Sequence, residues 1–149
     1  MDFSFLCQMA EKGDAKALND LANVYMIEKE VEKAIKYYQI ASEKGNQLSM
    51  NNLAFIYQKG KGIPQDHQKT IHYFEKASEL GNTIATNSLA YLYKNGIGVK
   101  KNLPLSINYY QKNAEKGDLN ALINLARIYR DGKEKIPSFQ NTFNTFTHF

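Results

Sequence analysis

Apolar and polar positions alternate along this chain with the period of a helix, and the alternation comes in pairs. Met50, Leu53, Ala54 and Tyr57 stand at i, i+3, i+4 and i+7 and so share one helical face, and Thr70, Phe74 and Ala77 do the same further on. The first pattern recurs as Leu21-Ala22-Asn23-Val24-Tyr25, Leu53-Ala54-Phe55-Ile56-Tyr57, Leu89-Ala90-Tyr91-Leu92-Tyr93 and Leu125-Ala126-Arg127-Ile128-Tyr129. The second recurs as Ala34-Ile35-Lys36-Tyr37-Tyr38, Thr70-Ile71-His72-Tyr73-Phe74 and Ser106-Ile107-Asn108-Tyr109-Tyr110. Both keep step with the glycines Gly13, Gly45, Gly81 and Gly117, which are 32, 36 and 36 residues apart. The spacing predicts a unit of helix, loop, helix and turn. Small residues such as Ala54, Ala77, Ala90 and Ala126 among large rings let paired helices approach closely.

Around the glycines one short segment is copied: Ala41-Ser42-Glu43-Lys44-Gly45-Asn46, Ala77-Ser78-Glu79-Leu80-Gly81-Asn82 and Asn113-Ala114-Glu115-Lys116-Gly117-Asp118, with a fainter copy at Met9-Ala10-Glu11-Lys12-Gly13-Asp14. A fixed self-similar period of this length marks a stacked array. Between the paired helices lie Gly60-Lys61-Gly62-Ile63-Pro64-Gln65-Asp66 and Gly96-Ile97-Gly98-Val99-Lys100-Lys101-Asn102. Their glycines suit left-handed turns, and Ile63 and Val99 suit the gap between helices. Asp66 and Asn102 stand where N-caps are wanted, and Pro104 falls in a first turn. A Gly-x-Gly also suggests a phosphate loop, but no strand precedes it and no Gly-Lys-Ser/Thr follows.

These motifs resemble the Sel-1-like repeat, a relative of the tetratricopeptide repeat: Gly, Ala, Leu-Ala-x-x-Tyr, Gly-x-Gly-Val/Ile, Asp/Asn, a pair of aromatic residues and Ala, at a period of 36 over roughly residues 3 to 134. The resemblance implies an all-α fold, an α/α superhelical solenoid of stacked helix-turn-helix repeats. Two departures stand out. The first unit lacks the Gly-x-Gly loop, with four residues fewer between Tyr25 and Ala34 than between Tyr57 and Thr70, and Asn113 replaces the small residue found at Ala41 and Ala77.

The expected organisation is a half repeat over 2–12, units starting near residues 13, 45, 81 and 117, and an array ending at 135. Asp2 or Ser4 would cap the first helix, and no signal peptide is evident at the N-terminus. The tail 136–149 carries Phe139, Phe143 and Phe146 at helical spacing among poor helix formers, so it is either a degenerate final helix or disordered.

Charge and chemistry narrow the function. The net charge of +4 raises nucleic acid as a partner, but Lys33, Lys36, Lys69, Lys76, Lys112 and Lys116 interleave with Glu32, Glu75, Glu79 and Glu115, which describes a solvated surface rather than a basic stripe. His67, His72 and His148 have no metal-ligand spacing, and no Gly-x-Ser-x-Gly elbow is present. No cofactor, metal or catalytic residue is expected, and no apolar run is long enough to span a bilayer. Relatives credited with penicillin binding are rich in disulfides; Cys7 is the only cysteine here and is expected to be a buried packing residue.

The expectation is a non-enzymatic scaffold or adaptor that binds a protein or peptide segment along a concave groove lined by the first helix of each unit. The face opposite Leu53 and Tyr57 presents Leu48, Asn52, Phe55 and Lys59. Its equivalents form one column of Asp20, Asn52, Ser88 and Asn124, and another of Asn23, Phe55, Tyr91 and Arg127. Asn52, Phe55, Ser88, Tyr91, Asn124 and Arg127 are therefore the candidate partner-binding residues, since asparagine brackets a peptide backbone and aromatic and arginine side chains anchor interfaces. Two other roles compete: self-assembly of a monomer or weak homo-oligomer through the array ends (Phe3 and Phe5, or Phe139, Phe143 and Phe146), and a truncated remnant with no present role. A lone cysteine, no evident signal peptide and no Asn-x-Ser/Thr sequon lead to the expectation of a cytoplasmic setting, and the resemblance implies the host cytoplasm for a chain carried by an intracellular bacterium or a large DNA virus.

Overall fold

The computed structural model describes residues 2–132, so the tail 136–149 lies outside the described residues. Among those residues the chain is all-α, with eight helices and no strand: α1 (Phe3–Glu11), α2 (Ala15–Ile27), α3 (Val31–Glu43), α4 (Gln47–Lys59), α5 (His67–Glu79), α6 (Thr83–Asn95), α7 (Leu103–Glu115) and α8 (Leu119–Arg130). They fall into two compact units, one ending at Ala85 and the other beginning at Thr86.

The copied segment is a single piece of turn chemistry. At the end of α3, Gly45 adopts φ +88°, its N–H donates to the Ser42 carbonyl at 2.9 Å and the Asn46 N–H donates to the Ala41 carbonyl at 3.0 Å. This is a Schellman C-cap, which glycine enters without the steric penalty of a Cβ. Asn46 then turns its side chain to the next helix and accepts from the Ser49 N–H at 2.8 Å as the N-cap of α4. One residue thus closes one helix and opens the next, which is why Lys-Gly-Asn and its variants repeat so faithfully. Asp14, Asn82 and Asp118 do the same work, capping Ala17, Ala85 and Ala121 at 2.8, 3.0 and 2.9 Å.

In the first unit, α1 and α2 enclose Leu6, Ala10, Ala17, Leu18 and Leu21 with Ala41 of α3. Cys7 packs against this cluster half-buried, not fully buried as expected: it lies at the margin of the cluster rather than among its buried members. Asp2, rather than Ser4, caps α1. A second cluster joins Ala22, Ala34, Tyr38, Leu53, Ile56 and Tyr57. In the second unit Ala90, Ile107, Tyr110, Ala114, Ala121, Leu125 and Ile128 form the core, with Ala114 and Ala121 fully buried. The tyrosines that close each repeat pattern pair face to face: Tyr25 with Tyr37 at 5.4 Å, Tyr57 with Tyr73 at 6.1 Å and Tyr93 with Tyr109 at 6.1 Å between ring centroids.

The loops between paired helices share one closing bond. The Asp66 N–H donates to the Tyr57 carbonyl and the Asn102 N–H to the Tyr93 carbonyl, both at 2.9 Å, and in the shortened first pair the Glu30 N–H reaches the Tyr25 carbonyl at the same 2.9 Å. The four-residue deletion therefore removes the interior of the loop and keeps its closure. The left-handed step passes from Gly60, at φ +63°, to Lys29, also at φ +63°. Asp66 and Asn102 cap their helices as expected, at 3.0 and 3.1 Å, whereas Glu30 makes no side-chain cap.

Candidate functional site

A cleft of about 680 Å³ opens beside the short turn, lined by Met26 and Ile27 of α2, Lys29 of the turn, Val31 and Tyr38 of α3, Asn52, Phe55, Ile56 and Lys59 of α4, and Lys61 and Gly62 of the following loop. Its apolar part includes Ile27, which is 82 % exposed. Its charged part is three exposed lysines and no carboxylate.

Two of the six candidate residues, Asn52 and Phe55, meet in this cleft. Phe55 is half-buried and packs edge-on against Phe74, with ring centroids 5.2 Å apart at 84°. It therefore supports the α4–α5 pairing as well as presenting a surface. Asn52 donates through Nδ2 to Asn19 Oδ1 at 3.4 Å, a long bond. Behind them, the Tyr38 hydroxyl donates to Asn23 Oδ1. Burial of the Tyr38 ring pushes its pKa up to about 12, so the hydroxyl is a neutral donor through the physiological range.

The other four residues lie in the second unit. Ser88 and Tyr91 are three apart on α6, and Asn124 and Arg127 are three apart on α8, so each pair shares a helix face. Tyr91 is 53 % exposed, a much freer ring than Phe55, and Arg127 is exposed. Asn124 turns back along its own helix and donates to the Asn120 carbonyl at 2.9 Å.

A further asparagine column, unrecognised in the sequence, holds the repeats in register. Asn51 Nδ2 donates to Asn82 Oδ1 at 2.9 Å in the first unit, and Asn87 Nδ2 donates to Asp118 Oδ2 at 2.8 Å in the second. In each case the acceptor is the N-cap of a later helix. Asn19, one period before Asn51, accepts instead from the Ser49 hydroxyl at 2.8 Å. The signal was present in the 32- and 36-residue spacing of Asn19, Asn51 and Asn87, one position ahead of the polar column already noted. Asn113, the residue out of pattern, is fully buried and donates to Asn87 Oδ1 at 2.8 Å, extending this network.

Among the described residues no group of three His, Cys, Asp or Glu side chains could hold a metal ion, and no helix is long and apolar enough to cross a membrane. The arrangement offers recognition surfaces: apolar area, amide groups and lysine cations.

Comparison with known proteins places these features. The family model described as the Sel1 repeat matches residues 15–46, 47–82 and 83–118, beginning two residues after Gly13, Gly45 and Gly81. No curated protein matches the chain. The crystal structure of a protective antigen of uropathogenic Escherichia coli strains displaying an SLR fold is similar at a TM-score of 0.83 and 28 % identity, over 89 % of this chain and 29 % of that one. This chain thus spans under a third of that antigen's length. A Sel1 repeat protein from Oxalobacter formigenes is similar at a TM-score of 0.74 and 28 % identity, over 85 % of this chain and 98 % of that one. Cysteine rich protein B of Helicobacter pylori shares the fold at a TM-score of 0.61 and 22 % identity, over 78 % of this chain and 92 % of that one. The fold class is the α/α solenoid of helix-turn-helix repeats.

Proposed function

The chain belongs to the Sel1 repeat family, whose repeats generally mediate protein–protein interaction as non-enzymatic scaffolds, and we propose that this one binds a segment of a partner protein through the exposed faces of its first helices. In the first unit the contact residues are Asn52 and Phe55, and in the second Ser88, Tyr91, Asn124 and Arg127. The observation that carries the reading is the cleft itself, an open site of about 680 Å³ with largely apolar walls. Apolar walls with a few placed polar groups are what a peptide side chain needs. With Cys7 alone, and no internal disulfide available, the proposed setting is cytoplasmic.

A second reading has its own observation. Phe3 and Phe5 on α1 are 49 % and 50 % exposed, which favours self-assembly through that helix.

The test is a displayed random-peptide library panned against the chain. The reading expects enriched peptides whose binding is weakened by Asn52→Ala and by Tyr91→Ala while the thermal melt is unchanged. Enrichment that is indifferent to both substitutions, or a mass in solution that halves on Phe3→Ser with Phe5→Ser, sends the assignment to self-assembly.

A further inference from the structure

The lining of the first-unit cleft selects among partner segments, and the selection rests on the protein-binding reading above. Three of its eleven lining residues, Lys29, Lys59 and Lys61, carry positive charge, and none of the eleven is acidic. Two lysines outside the cleft have a carboxylate beside them: Lys16 is 3.3 Å from Asp20, and Lys33 pairs with Glu30. Among the described residues Lys29, Lys59 and Lys61 make no ion pair. Between them the surface is apolar, with Met26, Ile27, Val31, Phe55 and Ile56.

An adjoining hollow fixes a direction. It shares Lys29, Val31 and Gly62 with the cleft and is also lined by Glu30, Glu32 and Lys33, with Glu30 paired to Lys33, so carboxylates already stand on the Lys29 side and none stands in the lining beside Lys59 and Lys61. A ligand's carboxylates are left with Lys59 and Lys61. A phosphate backbone would meet the lysines but leave the apolar walls unfilled, and an uncharged segment would fill the walls while leaving the cations unmatched.

We infer that the cleft made by the shortened turn takes an acidic segment of a partner protein, with one apolar side chain seated against Ile27, Val31 and Ile56 and a flanking carboxylate on Lys59 and Lys61. The deletion is then what creates the specificity. In the second helix pair the loop Lys61-Gly62-Ile63 is intact, and Ile63 packs into the core cluster beside it.

The experiment is amide-shift titration of the isotope-labelled full chain with three synthetic peptides: leucine flanked on each side by two glutamates, by two glutamines, or by two lysines. The inference expects the glutamate peptide to bind best and to shift Ile27, Lys29, Phe55 and Lys61. It also expects the variant Lys59→Glu with Lys61→Glu, which leaves the strained turn at Lys29 untouched, to weaken that peptide about tenfold and to favour the lysine peptide. Helicity of the variant, read by circular dichroism, should match the parent since both positions are exposed. Equal binding of the glutamate and glutamine peptides, or preference for the lysine peptide by the parent chain, overturns the acidic assignment while the peptide-binding reading survives. Shifts that grow with protein concentration without peptide make the occupant a second copy and overturn it too. No shift from any of the three also overturns it, and the library of the preceding section then decides independently whether peptide binding stands.

Discussion

Gly62 lies so close to Val31 that a Cβ on the glycine would stand 2.9 Å from Val31 Cγ2. The contact joins the Gly-x-Gly loop after α4 to the first residue of α3, at the wall of the cleft. Only a residue without a side chain allows the two turns to meet there.

Gly62→Ala should therefore be destabilising twice over, through φ +85° and through contact with a β-branched side chain that is stiff at χ1. Gly45→Ala supplies the control, because φ is +88° there and nothing lies within 4 Å of the added methyl. Denaturant melts should place Gly62→Ala about 1 kcal/mol or more below Gly45→Ala, and Val31→Ala should recover part of the difference. Equal stability of the two alanine variants would mean the turns do not touch.

The asparagine network makes a second prediction. Removing Asn87 takes a hydrogen-bond partner from both Asn113 and Asp118, and Asn113 is fully buried. Asn87→Ala should destabilise by about 1–3 kcal/mol, whereas Asn124→Ala, whose amide serves only its own helix, should stay within about 0.5 kcal/mol of the parent. Urea unfolding of the two variants side by side checks this; a neutral Asn87→Ala removes the network from the account of repeat register.

Leu89 is completely buried. Leu89→Asp places a carboxylate where water cannot reach it, a penalty of several kcal/mol against a total stability of about 5–15 kcal/mol. The variant should lose most of its helical circular dichroism at neutral pH. A folded Leu89→Asp chain contradicts the burial of the leucine column.

Alkaline pH should unfold the protein earlier than exposed tyrosines would. Burial raises Tyr38 and Tyr110 from 10.0 to about 12 each. A raised folded-state value means the neutral phenol is the form the fold prefers. The stabilisation is therefore complete below pH 10 and is lost progressively between 10 and 12, by about 2–3 kcal/mol per ring. Melting temperatures across this window should fall steeply in the parent and less steeply in Tyr110→Phe. Parallel slopes for the two would place the Tyr110 hydroxyl in solvent.

Much of the fold was legible because repetition averages over local ambiguity. Met50, Leu53, Ala54 and Tyr57 are all buried on α4, as their spacing requires, and Asp66 and Asn102 cap the helices they precede. The site was harder to see. Asn52, Phe55 and Lys59 were placed on one face by period alone, but the cleft depends on Lys29 adopting a left-handed conformation and on Gly62 reaching Val31, neither of which a helical period encodes. Likewise the dual role of Phe55 depends on Phe74, 19 positions further along the chain, whose ring meets it edge-on. Phe55→Ala is consequently a poor probe of binding, since it also removes packing between α4 and α5.

The most direct measurement of the central claim is the map of amide shifts produced by a library-selected peptide on the full chain. Binding by the first helices predicts perturbation of α4 and of the turn from Met26 to Val31, with α6 or α8 following, and little change on α3, α5 and α7 beyond Tyr38 and its neighbours. Shifts confined to α1, or concentrated on the outer faces of α5 and α7, would contradict it.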